Sequence, residues 1–380
     1  MSQPELPAQL GYRWPAEWEP HAATWLSWPR NPETWPQKFG PVPGEFAQLV
    51  RTIAQFEPVH ILAGGEAVMR QARALVGKLP NVTLHDIPTN DAWCRDHGPT
   101  FLSVQSPKSK VQSRGANDFG LWTLDSGLAP ALIDWEYNAW GGKYPPFDLD
   151  NQVPRKIAAL QGRRVFSPGI ILEGGAIEGN GEGVLLTTES CLLNPNRNPH
   201  LSREETEKYL RDYLGVKEIW WLKGGEIAGD DTDGHIDQIA RFVGPRTIVV
   251  GVCDDPSDEN YGPTQQNLAE LLRVSSGILT RSASEGESGQ PSLALRVSIV
   301  PLPLPGPKYV GDQRLPAGYA NFIFVNGGLI VPTYNDPADR VAIDTLQKLR
   351  PDRRVVGLPS LNLVWGLGSF HCLSQQEPLA

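Results

Sequence analysis

The stretch FIFVNGGLIVPTYNDP, Phe322 to Pro337, sets an apolar run of strand length against a glycine pair and then a helix start. Phe322 to Val325 is aromatic and β-branched, the composition that suits a buried pleated surface. Asp336 followed by Pro337 opens a helix that continues through Leu349. The same alternation recurs outward along the chain. Val59 to Leu62, Val184 to Thr188 and Thr247 to Val252 have strand length and composition. Between them, Glu45 to Phe56 places Phe46, Leu49, Val50 and Ile53 at helical period. Ser202 stands three residues before Glu205, ahead of an amphipathic stretch through Leu214, so hydroxyl and carboxylate can satisfy the free amides of a helix start. The pattern predicts an α/β protein. Glycine pairs at Gly64-Gly65, Gly174-Gly175, Gly224-Gly225 and Gly327-Gly328 each follow an apolar run, which fits a worn repeat or, more commonly, plain turn punctuation.

The 380 residues carry 34 basic and 43 acidic side chains, a net charge of −9 that disfavours nucleic acid as a partner and mildly favours cationic ligands. Glycine and proline number 38 and 35, which predicts many turns but stays below low complexity. The 12 Trp, 11 Phe and 9 Tyr need a packed interior and exclude a disordered chain. The N-terminal residues have no basic start and no continuous apolar stretch, and no later apolar run approaches spanning length, so no membrane partner is expected. Cys94, Cys191, Cys253 and Cys372 are scattered without a CxxC pair, which argues against a zinc knuckle or disulfide framework and fits a reducing cytoplasm. Ser103 to Gly115 and Ser282 to Pro291 are polar and are predicted to be surface excursions within a single domain spanning 1–380.

Three segments carry candidate chemistry. DDTDGHID, Asp230 to Asp237, gathers four carboxylates and an imidazole. Its glycine cannot be the sixth residue of a calcium loop, because Gly229 and Ala240 would then stand at ligand positions. No second histidine lies at helical ligand spacing, so no metal is expected, and the plain alternative is a solvated turn cornered at Asp233-Gly234. NDAWCRDHGP, Asn90 to Pro99, offers Trp93 as a flat apolar wall and Asp96 as an anionic acceptor, a pairing suited to a planar cation; an internal pair of Arg95 with an aspartate is the structural alternative. Leu367 to Pro378 places Cys372 on a glycine-containing turn that a ligand can approach. Together the three suggest a thiolate, a histidine for proton transfer and carboxylates that hold a guanidinium.

These segments resemble the agmatine deiminase family, relatives of bacterial peptidylarginine deiminase in the guanidine-modifying superfamily. The likeness runs nearly end to end, through WPAEWEPHAATWLSWP at Trp14, NDAWCRDHGPTF at Asn90, DWEYNAWGGKYPPFDLDNQVPRKIAAL at Asp134, LEGGAIEGNGEGVLLTTESCLLNPNRNPHLS at Leu172, DDTDGHID at Asp230, GYANFIFVNGGLIVPTYND at Gly318 and GSFHCLSQQEP at Gly368. The resemblance implies a five-bladed β/α propeller, the pentein fold with pseudo-fivefold symmetry, and no cofactor. It also implies hydrolysis of a small cationic guanidino substrate, agmatine, to N-carbamoylputrescine and ammonia, in the service of polyamine biosynthesis. Cys372 is then the nucleophile, His235 the proton carrier, Asp96 and Asp237 the guanidinium clamp, and Glu173 the carboxylate that orients the histidine. Trp93, Asp231 and Gly368 are expected to line the substrate site, and Cys94, Cys191 and Cys253 to be replaceable. Two departures stand out: Gly366-Leu367-Gly368-Ser369-Phe370 where the family usually has a triple glycine, Asn and Ile, and Glu178 where it commonly has histidine. Peptidyl-arginine or another guanidino compound is the alternative substrate, a non-catalytic guanidino-binding protein the alternative of another class, and homo-oligomer formation is left open.

Overall fold

The computed structural model describes residues 5–104, 129–284 and 297–379, with the side chains of 276–284 left out. The chain is α/β, and one motif recurs five times among the described residues. A single helical turn leads into a strand, an antiparallel partner, a helix, and a strand parallel to that partner. The turn Cys94–His97 introduces Thr100–Val104, paired with Ala131–Ile133 and Arg164–Phe166. Gly174–Ala176 introduces Ile177–Gly179, with Val184–Thr188 and Glu218–Leu222. Ile236–Ile239 introduces Ala240–Gly244, with Thr247–Val252 and Ser298–Pro303. Tyr319–Asn321 introduces Ile323–Val325, with Gly328–Thr333 and Arg354–Pro359. The fifth motif joins the two ends of the chain. The turn Phe370–Leu373 leads into Ser374–Pro378, which pairs antiparallel with His21–Ser27, itself parallel to Val59–Leu62. Each short turn touches the next, and the last touches the first, in a closed ring.

The sequence reading meets this fold closely. Val59–Leu62, Val184–Thr188 and Thr247–Val252 are strands with the expected bounds. The helix expected over Glu45 to Phe56 runs over Val42–Ile53, three residues early at each end, because Pro43 has no N–H to lose in a first turn. Asp336-Pro337 leads into Ala338–Leu349. The glycine pairs do not mark one repeated position: Gly64-Gly65 and Gly224-Gly225 follow parallel strands, Gly174-Gly175 sits in a helical turn, and Gly327-Gly328 closes a hairpin. Ser282 to Ser284 prolong the helix Tyr261–Ser284, while the rest of that expected excursion, and the other beyond Val104, lie outside the described residues.

Ser202 caps Arg203–Leu214: Glu205 N–H donates to Ser202 Oγ at 3.2 Å and Ser202 N–H to Glu205 Oε2 at 2.8 Å. Ser202→Ala removes one of those bonds and is expected to cost about 1 kcal/mol, read as a lower urea midpoint at unchanged slope.

Candidate active site

All five ring turns, with the residues beside them, contribute to one cluster, the turn Tyr319–Asn321 through Asn321. Cys372 sits in the turn Phe370–Leu373, Asp96 in Cys94–His97, and Asp237 in Ile236–Ile239, with His235 just before it. Glu173 immediately precedes Gly174–Ala176. A cavity of about 740 Å³ opens above them, reached by Cys372 and Asp96 and walled by Trp93, Trp140 and Gly368. Glu173, His235 and Asp237 are fully buried and do not line it.

Asp96 is held from both sides: Gly175 N–H donates to Oδ1 at 2.9 Å and Trp140 Nε1–H to Oδ2 at 3.0 Å. Burial raises its pKa to about 6, against the pull of His235. His235 Nδ1 lies 3.6 Å from Asp96 Oδ1, and neither ring nitrogen has a hydrogen-bond partner among the described residues. Burial disfavours its charge, but Asp96, Cys191 and Glu173 outweigh burial and raise its pKa to about 10. Glu173 Oε1 accepts from Arg197 Nε at 2.7 Å, and Arg197 continues to Asp233 at 2.5 Å and to the carbonyl of Thr232 at 3.0 Å. That guanidinium ties the Glu173 turn to the loop bearing His235.

Cys372 Sγ lies 3.5 Å from Asp237 Oδ2 and receives Asn321 Nδ2–H at 3.1 Å. Burial, Asp237 and Asp96 raise its pKa well above that of an ordinary thiol. Asp237 Oδ2 also accepts from His371 Nδ1 at 2.7 Å, leaving Oδ1 without a partner. Gly175 cannot carry a side chain here, since a Cβ would stand 2.5 Å from His235 Nδ1 and 2.7 Å from Asp96 Oδ1. At Gly368 a Cβ would meet the Trp93 ring at 2.4 Å, so glycine keeps that wall against the Cys372 turn.

The acidic loop divides its labour. Asp230 accepts from Thr232 N at 3.1 Å and Gly234 N at 2.8 Å, and Asp233 at φ 65 turns the chain, so the first half shapes the loop while His235 and Asp237 reach the cluster. Asp231 lines the cavity, with Oδ1 on Lys143 at 3.1 Å and Oδ2 on Tyr144. Arg95 pairs with no neighbouring aspartate: it donates to the His371 carbonyl at 3.3 Å and to Gln376 at 2.7 Å. Glu178 does not line the cavity; it accepts from Arg241 Nε at 2.8 Å and from Phe242 N at 2.9 Å. Leu367, in the departing GLGSF run, takes φ 70, a conformation that glycine would hold without strain. Cys191 offers its sulfur within 4.8 Å of Glu173 and His235, so of the three cysteines expected to be replaceable it is not remote from the cluster. The residues that the sequence reading passed over are Trp140, Arg197, Asn321 and His371; nothing in the local spacing of the first three marks them, whereas His371 stands beside Cys372.

Residues 13–378 match the family described as Porphyromonas-type peptidyl-arginine deiminase. The chain belongs to that family. Among relatives, an agmatine deiminase of Pseudomonas aeruginosa is 38% identical, covering 100% of this chain and 99% of its own. One from Ectopseudomonas mendocina is 36% identical over 98% and 97%. The solved structure of the Enterococcus faecalis agmatine deiminase superposes with a TM-score of 0.84 at 30% identity, covering 99% and 98%.

The raised pKa of His235 carries a stability consequence with a definite sign. Its contribution is fully present below the unfolded value of 6.5 and is lost as pH climbs through about 10. Nitrogen-15 NMR at pH 8 is therefore expected to find His235 as imidazolium; a neutral ring there would remove the shift.

Proposed function

We propose that this family member is an agmatine deiminase, a hydrolase of C–N bonds in linear amidines that turns agmatine and water into N-carbamoylputrescine and ammonia. The observation that carries the reading is the cavity floor, where Cys372 and Asp96 lie beneath aromatic walls, with the Asp237 carboxylate buried behind them 3.5 Å from the Cys372 sulfur. End-to-end likeness to proteins of that name supports it.

A guanidinium entering beside Trp93 would give its N–H groups to Asp96 and to the free Oδ1 of Asp237, placing its carbon against sulfur. The cation would favour the thiolate, the Cys372 proton passing to solvent as the cation enters, and would offset the repulsion from the two carboxylates. Sulfur attack forms the S–C bond and moves the C=N electrons onto nitrogen. His235, already protonated, gives its proton to the departing amine as the C–N bond breaks, leaving a thiouronium. The same imidazole then takes a proton from water, whose oxygen bonds to carbon and expels the Cys372 thiolate. Glu173, fixed by Arg197, would keep His235 in place, and no step calls on a metal. Asp231 would take the amine tail, exchanging its contact with Lys143 for the substrate ammonium.

The closed ring of five turns supports a five-bladed β/α propeller forming one domain over residues 1–380, and the four unpaired cysteines suit a reducing cytoplasm. No described helix is long and apolar enough to cross a membrane.

Ammonia release and product mass, measured over agmatine, arginine and arginyl peptides, test the assignment. Agmatine is expected to give N-carbamoylputrescine, with Cys372→Ser inactive and Cys253→Ala retaining wild-type turnover. Activity in Cys372→Ser, or turnover of arginyl peptides alone, would end the reading. Asp231→Asn should raise KM for agmatine by about fivefold with kcat kept, the worth of about 1 kcal/mol for a half-exposed ion pair.

A further inference from the structure

We propose that Asn321 is a further catalytic residue, the amide donor that holds the Cys372 thiolate while Gln238 supplies a second, weaker contact. The reading takes Cys372 as the nucleophile, so it rests on the function proposed above.

The argument starts from the orientation of one amide. Asn321 closes the ring turn Tyr319–Asn321 and is 1% exposed. Its Oδ1 accepts two main-chain N–H groups of the nucleophile turn, from His371 at 3.0 Å and Cys372 at 3.3 Å. Those groups can only donate, so the carbonyl end of the side chain must face them, and the NH₂ end is left facing the other way. There it meets Cys372 Sγ at 3.1 Å and Asp237 Oδ2 at 3.4 Å. The amide therefore cannot flip without breaking two backbone bonds, and its donor stays fixed on sulfur whether or not a ligand is present. Gln238 Nε2–H approaches the same sulfur at 3.6 Å from the neighbouring turn.

Such a donor is needed. The titratable groups around this sulfur are Asp237 at 3.5 Å and Asp96, both of which oppose a negative charge, Tyr334, a neutral phenol, and His371, whose Nδ1 is spent on Asp237. No Lys or Arg side chain donates to it among the described residues. Burial raises the Cys372 pKa, with Asp237 and Asp96 adding to it, and Asn321 is among the groups that lower it. When the second half of the reaction expels sulfur from carbon, the same fixed N–H receives the returning charge without reorganising.

Asn321→Asp keeps the size and the acceptor for both backbone groups but loses the donor; Asn321→Ala loses both without adding charge. Each is assayed by iodoacetamide labelling at fixed alkaline pH, following the Cys372 peptide by mass spectrometry, alongside agmatine turnover and circular dichroism. Labelling should slow by about 10- to 100-fold in both variants. The turnover number kcat should fall by about 100-fold or more, with KM changed far less. Wild-type labelling and kcat in the folded Asn321→Asp protein overturns the proposal, even if Asn321→Ala fails to fold. Because labelling needs no substrate, slowed labelling in a chain that does not hydrolyse agmatine would sustain the donor role and defeat the substrate assignment instead. Normal labelling with agmatine turnover intact would do the reverse.

Discussion

The antiparallel pairing of Ser374–Pro378 with His21–Ser27 is the constraint on which the site depends. It joins the last strand to one near the start of the chain, and Cys372 lies two residues before it begins. Trp25 Nε1–H donates to Glu377 at 2.7 Å, and Gln161 reaches the same oxygen at 2.8 Å, so the closure is fastened by buried polar bonds as well as by the ladder. Arg95 then couples closure to Asp96. It adjoins that residue and spends its guanidinium on the carbonyl of His371 and the side chain of Gln376, so Asp96 and the Cys372 turn share one anchor. A buried guanidinium with partners on the next turn and on the strand that follows it is expensive to displace, which fixes the two turns together.

The other buried charges follow the same logic of connection. Arg197 links Glu173 to the loop of His235, and Arg241 lies between Glu17 and Glu178 while also donating to the carbonyls of Ala320 at 3.2 Å and Phe322 at 2.9 Å. Glu17 in turn stands 3.3 Å from His371 Nε2, whose other nitrogen carries Asp237. Asp237, directly beneath the cavity, is thus the end of a chain through His371, Glu17, Arg241 and Glu178 that is buried throughout. Glu178, the departure from the family pattern, belongs to this buried support and not to the substrate surface.

How much of this was legible beforehand depended on range. Strand bounds such as Val59–Leu62 and the Ser202 cap are set by neighbours within a few residues, and periodicity recovers them. The chemical types in the DDTDGHID, NDAWCRDH and FHC segments could be picked out because several reactive groups stand together in sequence. Asn321 could not, because its role comes from the meeting of two turns fifty residues apart, and an asparagine in an aromatic run has no local signature. Asp231 shows the converse: its place at the cavity was anticipated, but its partners Lys143 and Tyr144 come from a loop nearly ninety residues away and were invisible to spacing. The glycine pairs are mainly the turn punctuation that was the commoner expectation: Gly175 answers the crowding of His235 and Asp96 and Gly327 a hairpin corner, while Gly64-Gly65 and Gly224-Gly225 both follow a parallel strand.

The elevated proton affinity of Cys372 has a bearing on the protein's survival between turnovers. Peroxides and adventitious electrophiles consume thiolates far faster than thiols. A sulfur kept neutral by burial, with Asp237 and Asp96 adding to the effect, is a poor target for such damage near neutral pH. On the proposed reaction, the arrangement would couple reactivity to occupancy without a separate safety device.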